Sequence, residues 1–309
     1  MSWKRGNRPK LVAESEAPEP TRRIFDEVRN SLGIPVVPKL YQAYAAFPQF
    51  LELHWQAFSP ALQARQFFLL GARLAAESYT RAHNYFEVRN LSSRDLVSDN
   101  SGELPLAQVL DYYQYLDPLL LLIVAVQMQA FEGPIGQQQE NPQLANHPTF
   151  PVAPRLLSDP EAAPGVHRIW DERRRMLELA FISDEHRAMA SCPKFYGEYW
   201  QALRDLLQLP LYADCQLRVG ESAWSLTREL PAKVDIGISL LLEAGLDGEQ
   251  VSSLVRINEA FLQALSGLVL DITFARIAYD GGTRRESRRD NKLPIEKPPQ
   301  KSGSPTRAA

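Results

Sequence analysis

Ser183-Asp184, in the stretch ISDEHRAMA ahead of Pro193, and Pro38-Lys39, ahead of Pro48, occupy matching places in two copies of one motif. If duplicated elements bring equivalent positions close to a shared axis, Asp184 and Lys39 face one cleft. A carboxylate and an ammonium there are the equipment of general acid–base chemistry. The same residues have a plainer reading. Ser or Asp ahead of an amphipathic segment is the commonest helix N-cap, and a carboxylate in the first turn is favoured by the helix dipole. On the residues alone, that reading comes first.

The motif copies are FPQFLELHWQAF (Phe47 to Phe58) and CPKFYGEYWQAL (Cys192 to Leu203). Laid over one another without a gap, residues 23–62 and 168–207 agree at 14 of 40 positions, including Glu27/Glu172, Pro48/Pro193, Phe50/Phe195 and Trp55/Trp200. Average composition would give roughly two or three. The chain therefore reads as an internal duplication whose repeat is far longer than a solenoid unit. Each copy is a whole helical lobe, and the repeated aromatic residues are core anchors.

The elements that must position Asp184 and Lys39 are helices. Leu254, Ile257, Phe261, Leu265, Leu268 and Ile272 recur at helical spacing, as do Val109, Tyr112, Leu116, Leu120 and Ile123. Pro48, Pro60, Pro193, Pro210 and Pro231 each precede a helix-like run and are expected to open helices. No segment alternates cleanly as a strand would, so the expected fold is all-α. Its expected organisation is a disordered N-terminal tail (1–18), a first helical repeat (19–132), a Pro/Gln-rich linker (133–165), a second helical repeat (166–280) and a basic tail (281–309). That tail holds eight Lys/Arg against three Asp/Glu and reads as solvated and disordered.

Other chemistries are disfavoured. The chain has no phosphate-binding loop, no dinucleotide fingerprint, no zinc-protease helix and no nucleophile elbow. Its five histidines share no metal-ligand spacing, so no metal is expected. The two cysteines, Cys192 and Cys215, form no C-x-x-C pair, which points to a reducing cytoplasm. A net charge of −3 gives no general reason to bind nucleic acid or a membrane, and the apolar run Pro118 to Val126 is too short to span a bilayer.

The order of these pieces resembles the group I 2-haloacid dehalogenases, α-helical enzymes acting on both D- and L-2-haloalkanoic acids. The likeness runs from Arg23 to Gly281. It is carried by IPVVPKLYQAYAAFPQFLELHW in the first copy, by GPIG and NHP in the linker, by the Leu119 to Val126 run, by LDITFARIAYDGG from Leu270, and by the duplication itself.

The resemblance implies that Asp184 activates a water, which attacks C2 of a small 2-halocarboxylic acid. Halide leaves with inversion, without an ester intermediate and without a cofactor. Ser183 would orient Asp184 or the water, and helix N-termini would supply donors to the substrate carboxylate. A homodimer is implied as well. The sequence also departs from the family. Val36 stands where a Trp is expected and Lys39 where a Phe is; Asp117 or Leu116 replaces an Asn; Leu265 replaces a Tyr. These four positions are the expected substrate-binding set. A retained Asp within a remade pocket suits an altered substrate. It also suits a second reading, a helical module that binds small acids or proteins without turnover.

Overall fold

The computed structural model describes residues 9–97, 104–138, 142–177, 179 and 181–283. The basic tail beyond 283 lies outside the described residues. Among those described there is no strand, only two isolated bridges, Ala64 with Leu144 and Ile135 with Val234. The fold is all-α.

Twelve α-helices follow in chain order among the described residues: α1 (Glu19–Leu32), α2 (Lys39–Tyr44), α3 (Pro48–Leu62), α4 (Arg65–Tyr85), α5 (Arg94–Val97), α6 (Leu106–Ala130), α7 (Pro164–Met176), α8 (Asp184–Met189), α9 (Pro193–Leu207), α10 (Pro210–Leu226), α11 (Ile238–Glu243) and α12 (Gly248–Tyr279). The starts of α1 to α4 recur in α7 to α10 at the spacing of 145 that separates Lys39 from Asp184. Local chemistry repeats too. The Trp55 indole donates to Glu27, and the Trp200 indole donates to Glu172 at 2.7 Å.

Proline placement explains several boundaries. Pro48, Pro193 and Pro210 occupy first helical positions, where a missing N–H costs nothing. The residue before proline is driven out of helical conformation. Phe47 (φ −128°, ψ 79°) and Cys192 (φ −111°, ψ 75°) accordingly separate α2 from α3 and α8 from α9. Two expectations fail. Pro60 lies inside the last turn of α3, close enough to its end to be tolerated, and Pro231 follows a 3-10 turn and leads into extended chain. There the Ile135–Val234 bridge satisfies the backbone in place of a helix.

The helices do not bury their faces within separate halves. α6 and α12 form the most extensive pair, and α4 and α10 pack against both, giving one core cluster from Ala17 to Ala278. Tyrosines 41 and 44, Phe50, Phe58, Phe195 and Trp200 are all buried in it. The expected single apolar face of α6 is only half the story. From Leu116 to Gln127 the helix is buried all round, as a central helix must be. By length and composition α6 and α12 could each cross a bilayer, which the run Pro118 to Val126 by itself could not; here they are the packed centre of the molecule.

The segment 133–165 does more than connect. Phe150 packs on Tyr112 and Tyr115, and its N–H donates to the carbonyl of Gly33. This draws the chain that follows across the mouth of a cavity, where Ala153, Pro154 and Leu156 form part of the wall.

Candidate active site

Short helices put the first pair of side chains in place. Pro38 precedes α2 and Ser183 precedes α8, both with extended backbone, so Lys39 and Asp184 are the first helical residues of matching elements. Lys39 Nζ meets Asp184 Oδ1 at 2.5 Å, and the ammonium also lies 5.1 Å from the centre of the Phe181 ring. About a quarter of each side chain is exposed (28% and 26%), so the pair stands at an opening and is not sealed in the core. Ser183 holds the N-cap position without capping a backbone N–H; its buried hydroxyl faces the Glu185 carboxyl. The plain N-cap reading is therefore incomplete for Ser183.

Behind this pair lies a cavity of about 460 Å³, in the range of pockets that enclose small ligands. All six residues singled out from the sequence line it: Val36, Lys39, Asp117, Ser183, Asp184 and Leu265. Val36 is 41% exposed and stands at the rim, whereas Asp117 and Leu265 are buried. Leu120, Leu177, Phe181, Phe261 and Leu268 complete largely apolar walls.

Asp117 sits in mid α6 immediately before Pro118, whose lack of an N–H removes one rung of the helical ladder. Its carboxyl is fully buried, and the neighbour it shares a hydrogen bond with is another carboxyl, Glu185. Burial raises its pKa well above the carboxylate range, and the nearby Glu185, Asp184 and Asp271 carboxyls push it in the same direction. Glu185, second in α8 and buried, is also raised, first by burial and then by Asp184; the Ser183 hydroxyl and Lys39 offset part of the effect. Burial thus favours the neutral form of both Asp117 and Glu185, and of Asp117 the more.

A second polar cluster closes the inner end. Asp271, in α12, accepts from Arg173 Nη2 (3.1 Å), His186 Nε2 (3.1 Å) and the Tyr212 hydroxyl (2.8 Å), while Tyr199 donates to its backbone carbonyl. Burial alone would raise Asp271; the bond from His186 and the charge of Arg173 outweigh it and hold the carboxyl below its ordinary value. Burial and the Arg173 charge lower His186 to about 4, so it is neutral at pH 7. Arg173, Tyr212 and Asp271 all line the same cavity as Asp184.

Sequence reasoning did not find Glu185, Arg173 or the role of Asp271. A signal for Arg173 was present. It follows Val166 and Trp170 at helical spacing, which places an arginine on the apolar face of α7. Glu185 and Asp271 gave no comparable signal, because their burial depends on helices distant in the chain.

Val36, Lys39, Asp117, Arg173, Ser183 and Asp184 lie within the segment that a known family matches, and Leu265 and Asp271 lie beyond it. Residues 35–186 match the family described as Halocarboxylic acid dehydrogenase DehI. An (R)-2-haloacid dehalogenase of Pseudomonas putida is 23% identical over 272 residues, covering 85% of this chain and 90% of the relative. An (R)-2-haloacid dehalogenase of Rhizobium sp. (strain NHG3) is 22% identical over 230 residues, covering 72% and 88%. Among solved structures, the complex of a D-2-haloacid dehalogenase mutant with D-2-CPA superposes with a TM-score of 0.78 at 20% identity, over 89% of this chain and 97% of the other. The complex of D-2-haloacid dehalogenase with L-LA gives 0.77 at 20% identity, over 90% and 100%. The fold is shared with these structures.

Proposed function

We propose that the protein is a dehalogenating hydrolase of small 2-halocarboxylic acids, in which Asp184 is the general base and water the nucleophile. The relatives are (R)-2-haloacid dehalogenases, which supports the reaction class. The observation that carries the assignment of the base is the setting of Asp184: it opens α8 on the wall of a largely apolar cavity, in contact with a cation, and does not stand on the outer surface as a plain cap. Lys39 occupies Oδ1 and leaves Oδ2 for a water.

In the proposed step, Asp184 takes a proton from the water as its oxygen bonds to C2. The carbon–halogen bond breaks on the opposite side, and the electron pair leaves with the halide. Configuration at C2 inverts, no ester forms, and the step calls on no metal or cofactor. Lys39, which holds Asp184 Oδ1, fixes the base on the attacking side. Ser183 orients the water, while Val36, Asp117 and Leu265 shape the space for the substituent at C2. Action on both D- and L-substrates, descent from an internal duplication with its linker at 133–165, a homodimer and a cytoplasmic location without membrane or nucleic-acid partners belong to the same proposal. The repeated helix starts support the duplication.

Halide release from D- and L-2-chloropropionate and 2-bromopropionate tests the reading. The parent should release halide, and Asp184→Asn should lose at least about a hundredfold in kcat, the lower end of what a general base contributes. The Lys39–Asp184 pair favours one alternative, an acid-binding protein whose base is blunted by its cation. Binding of the same acids without halide release from the parent would decide for it.

A further inference from the structure

Among the described residues, Arg173 is the one buried cation of the cavity. Its side chain is 3% exposed, it lines the cavity, and only Nη2 is engaged, by Asp271. Nε and Nη1 are shielded from solvent and have no hydrogen-bond partner. Leaving a buried donor unmet costs on the order of 1–3 kcal/mol, more for a charged group. An ion pair that served packing alone would use these donors or replace them with apolar volume.

The guanidinium is also held in place from several sides. It lies 5.2 Å from the centre of the Trp200 ring, and the Asp271 oxygen it binds is the one that meets His186, two residues after Asp184. The base and the cation are thus tied to one short helix, α8. Asp117 lines the same cavity as Asp184 and Asp271, and being an acid it brings no competing cation.

We propose that Arg173 anchors the carboxylate of the substrate through its guanidinium. The assignment rests on the proposed reading only in naming the ligand a 2-substituted acid; the site itself is one for a small monocarboxylate. Lys39 is a poorer candidate for this task. It is already paired with Asp184 and lies at the opening, whereas the guanidinium is fixed, permanently charged and matched to a carboxylate. Arg173 therefore serves binding, and Lys39 holds the base.

The test uses propionate, which cannot react, and propionamide, its uncharged counterpart, with binding to the full chain read by calorimetry. The parent should bind propionate at least tenfold more tightly than propionamide. Arg173→Lys should lose most of that preference, and Arg173→Met all of it. Because Arg173→Met strands a buried Asp271, the double variant Arg173→Met, Asp271→Asn removes both charges and decides the case if the single variant does not fold. A parent that does not distinguish acid from amide overturns the proposal. So does a folded Arg173 variant that keeps the parent's preference within twofold. A purely structural arginine would move the melting temperature and leave that preference intact. These readouts need no halide release, so they stand or fall separately from the dehalogenase reading. If turnover is present, Arg173→Lys should raise KM at least tenfold with a smaller change in kcat.

Discussion

At the scale of single residues, the cavity is governed by which carboxyl keeps its proton. Asp184 has a lysine, Asp271 has an arginine, a histidine and a tyrosine, and Asp117 has no cation, only the neighbouring Glu185 carboxyl. Desolvation then decides for the neutral acid at Asp117. The consequence for stability has a definite sign. A group with a raised folded-state pKa binds more protons folded than unfolded, so its contribution is present at pH below its unfolded value and is lost as pH rises toward its folded one. Asp117→Asn keeps shape and neutrality at every pH. Its melting temperature should exceed the parent's at pH 8, and the difference should shrink toward pH 4. Parallel melting curves across that range would show that Asp117 is ionised in the fold. The buried His186, lowered to about 4, acts in the opposite direction: its contribution is present at pH above its ordinary value near 6.5 and is lost as pH falls toward 4.

At the scale of elements, the site depends on close approach between helices that contribute none of its polar groups and the helix that carries Asp117. Gly71 in α4 faces Leu119 in α6, two residues from Asp117, and a Cβ added there would come within 2.3 Å of the leucine side chain. Gly71→Val should therefore destabilise the fold by about 1–3 kcal/mol, as overpacking does. Denaturant titration measures this, and an unchanged midpoint would contradict the contact. Short elements matter as much as long ones. α2 and α8 are six residues each, too short to be stable alone, and they exist because prolines end them and the core buries their inner faces. Their N-terminal residues are for that reason free to serve the cavity.

For the whole molecule, the repeated halves share one interior. α6 and α12 pack against each other, and each also touches α4 and α10, so either half alone would expose a long apolar helix. A fragment ending at residue 132 should be unfolded by circular dichroism and near-ultraviolet signals. Mixing it with a fragment from residue 133 onward should restore structure. A cooperative melt of either fragment alone would show two independent domains.

Much of this was legible in the chain. The helical periods, the prolines at first helical positions and the matching phrases around Trp55 and Trp200 depend on neighbours a few residues apart, and local sterics and hydrogen bonding fix them. The same phrases aligned Lys39 with Asp184 and so anticipated their meeting. Tertiary structure alone decided the rest: that 133–165 supplies a wall, that Asp117 is sealed beside other acids, that Glu185 is buried, and that Arg173 lines the cavity. Burial, and with it the charge state of every acid in the site, is set by what distant helices bring alongside a residue. No local pattern encodes that neighbourhood. The sequence by itself thus determined the helices and which positions correspond between the halves, and the packing of α6 against α12 determined the electrostatics of the space between them.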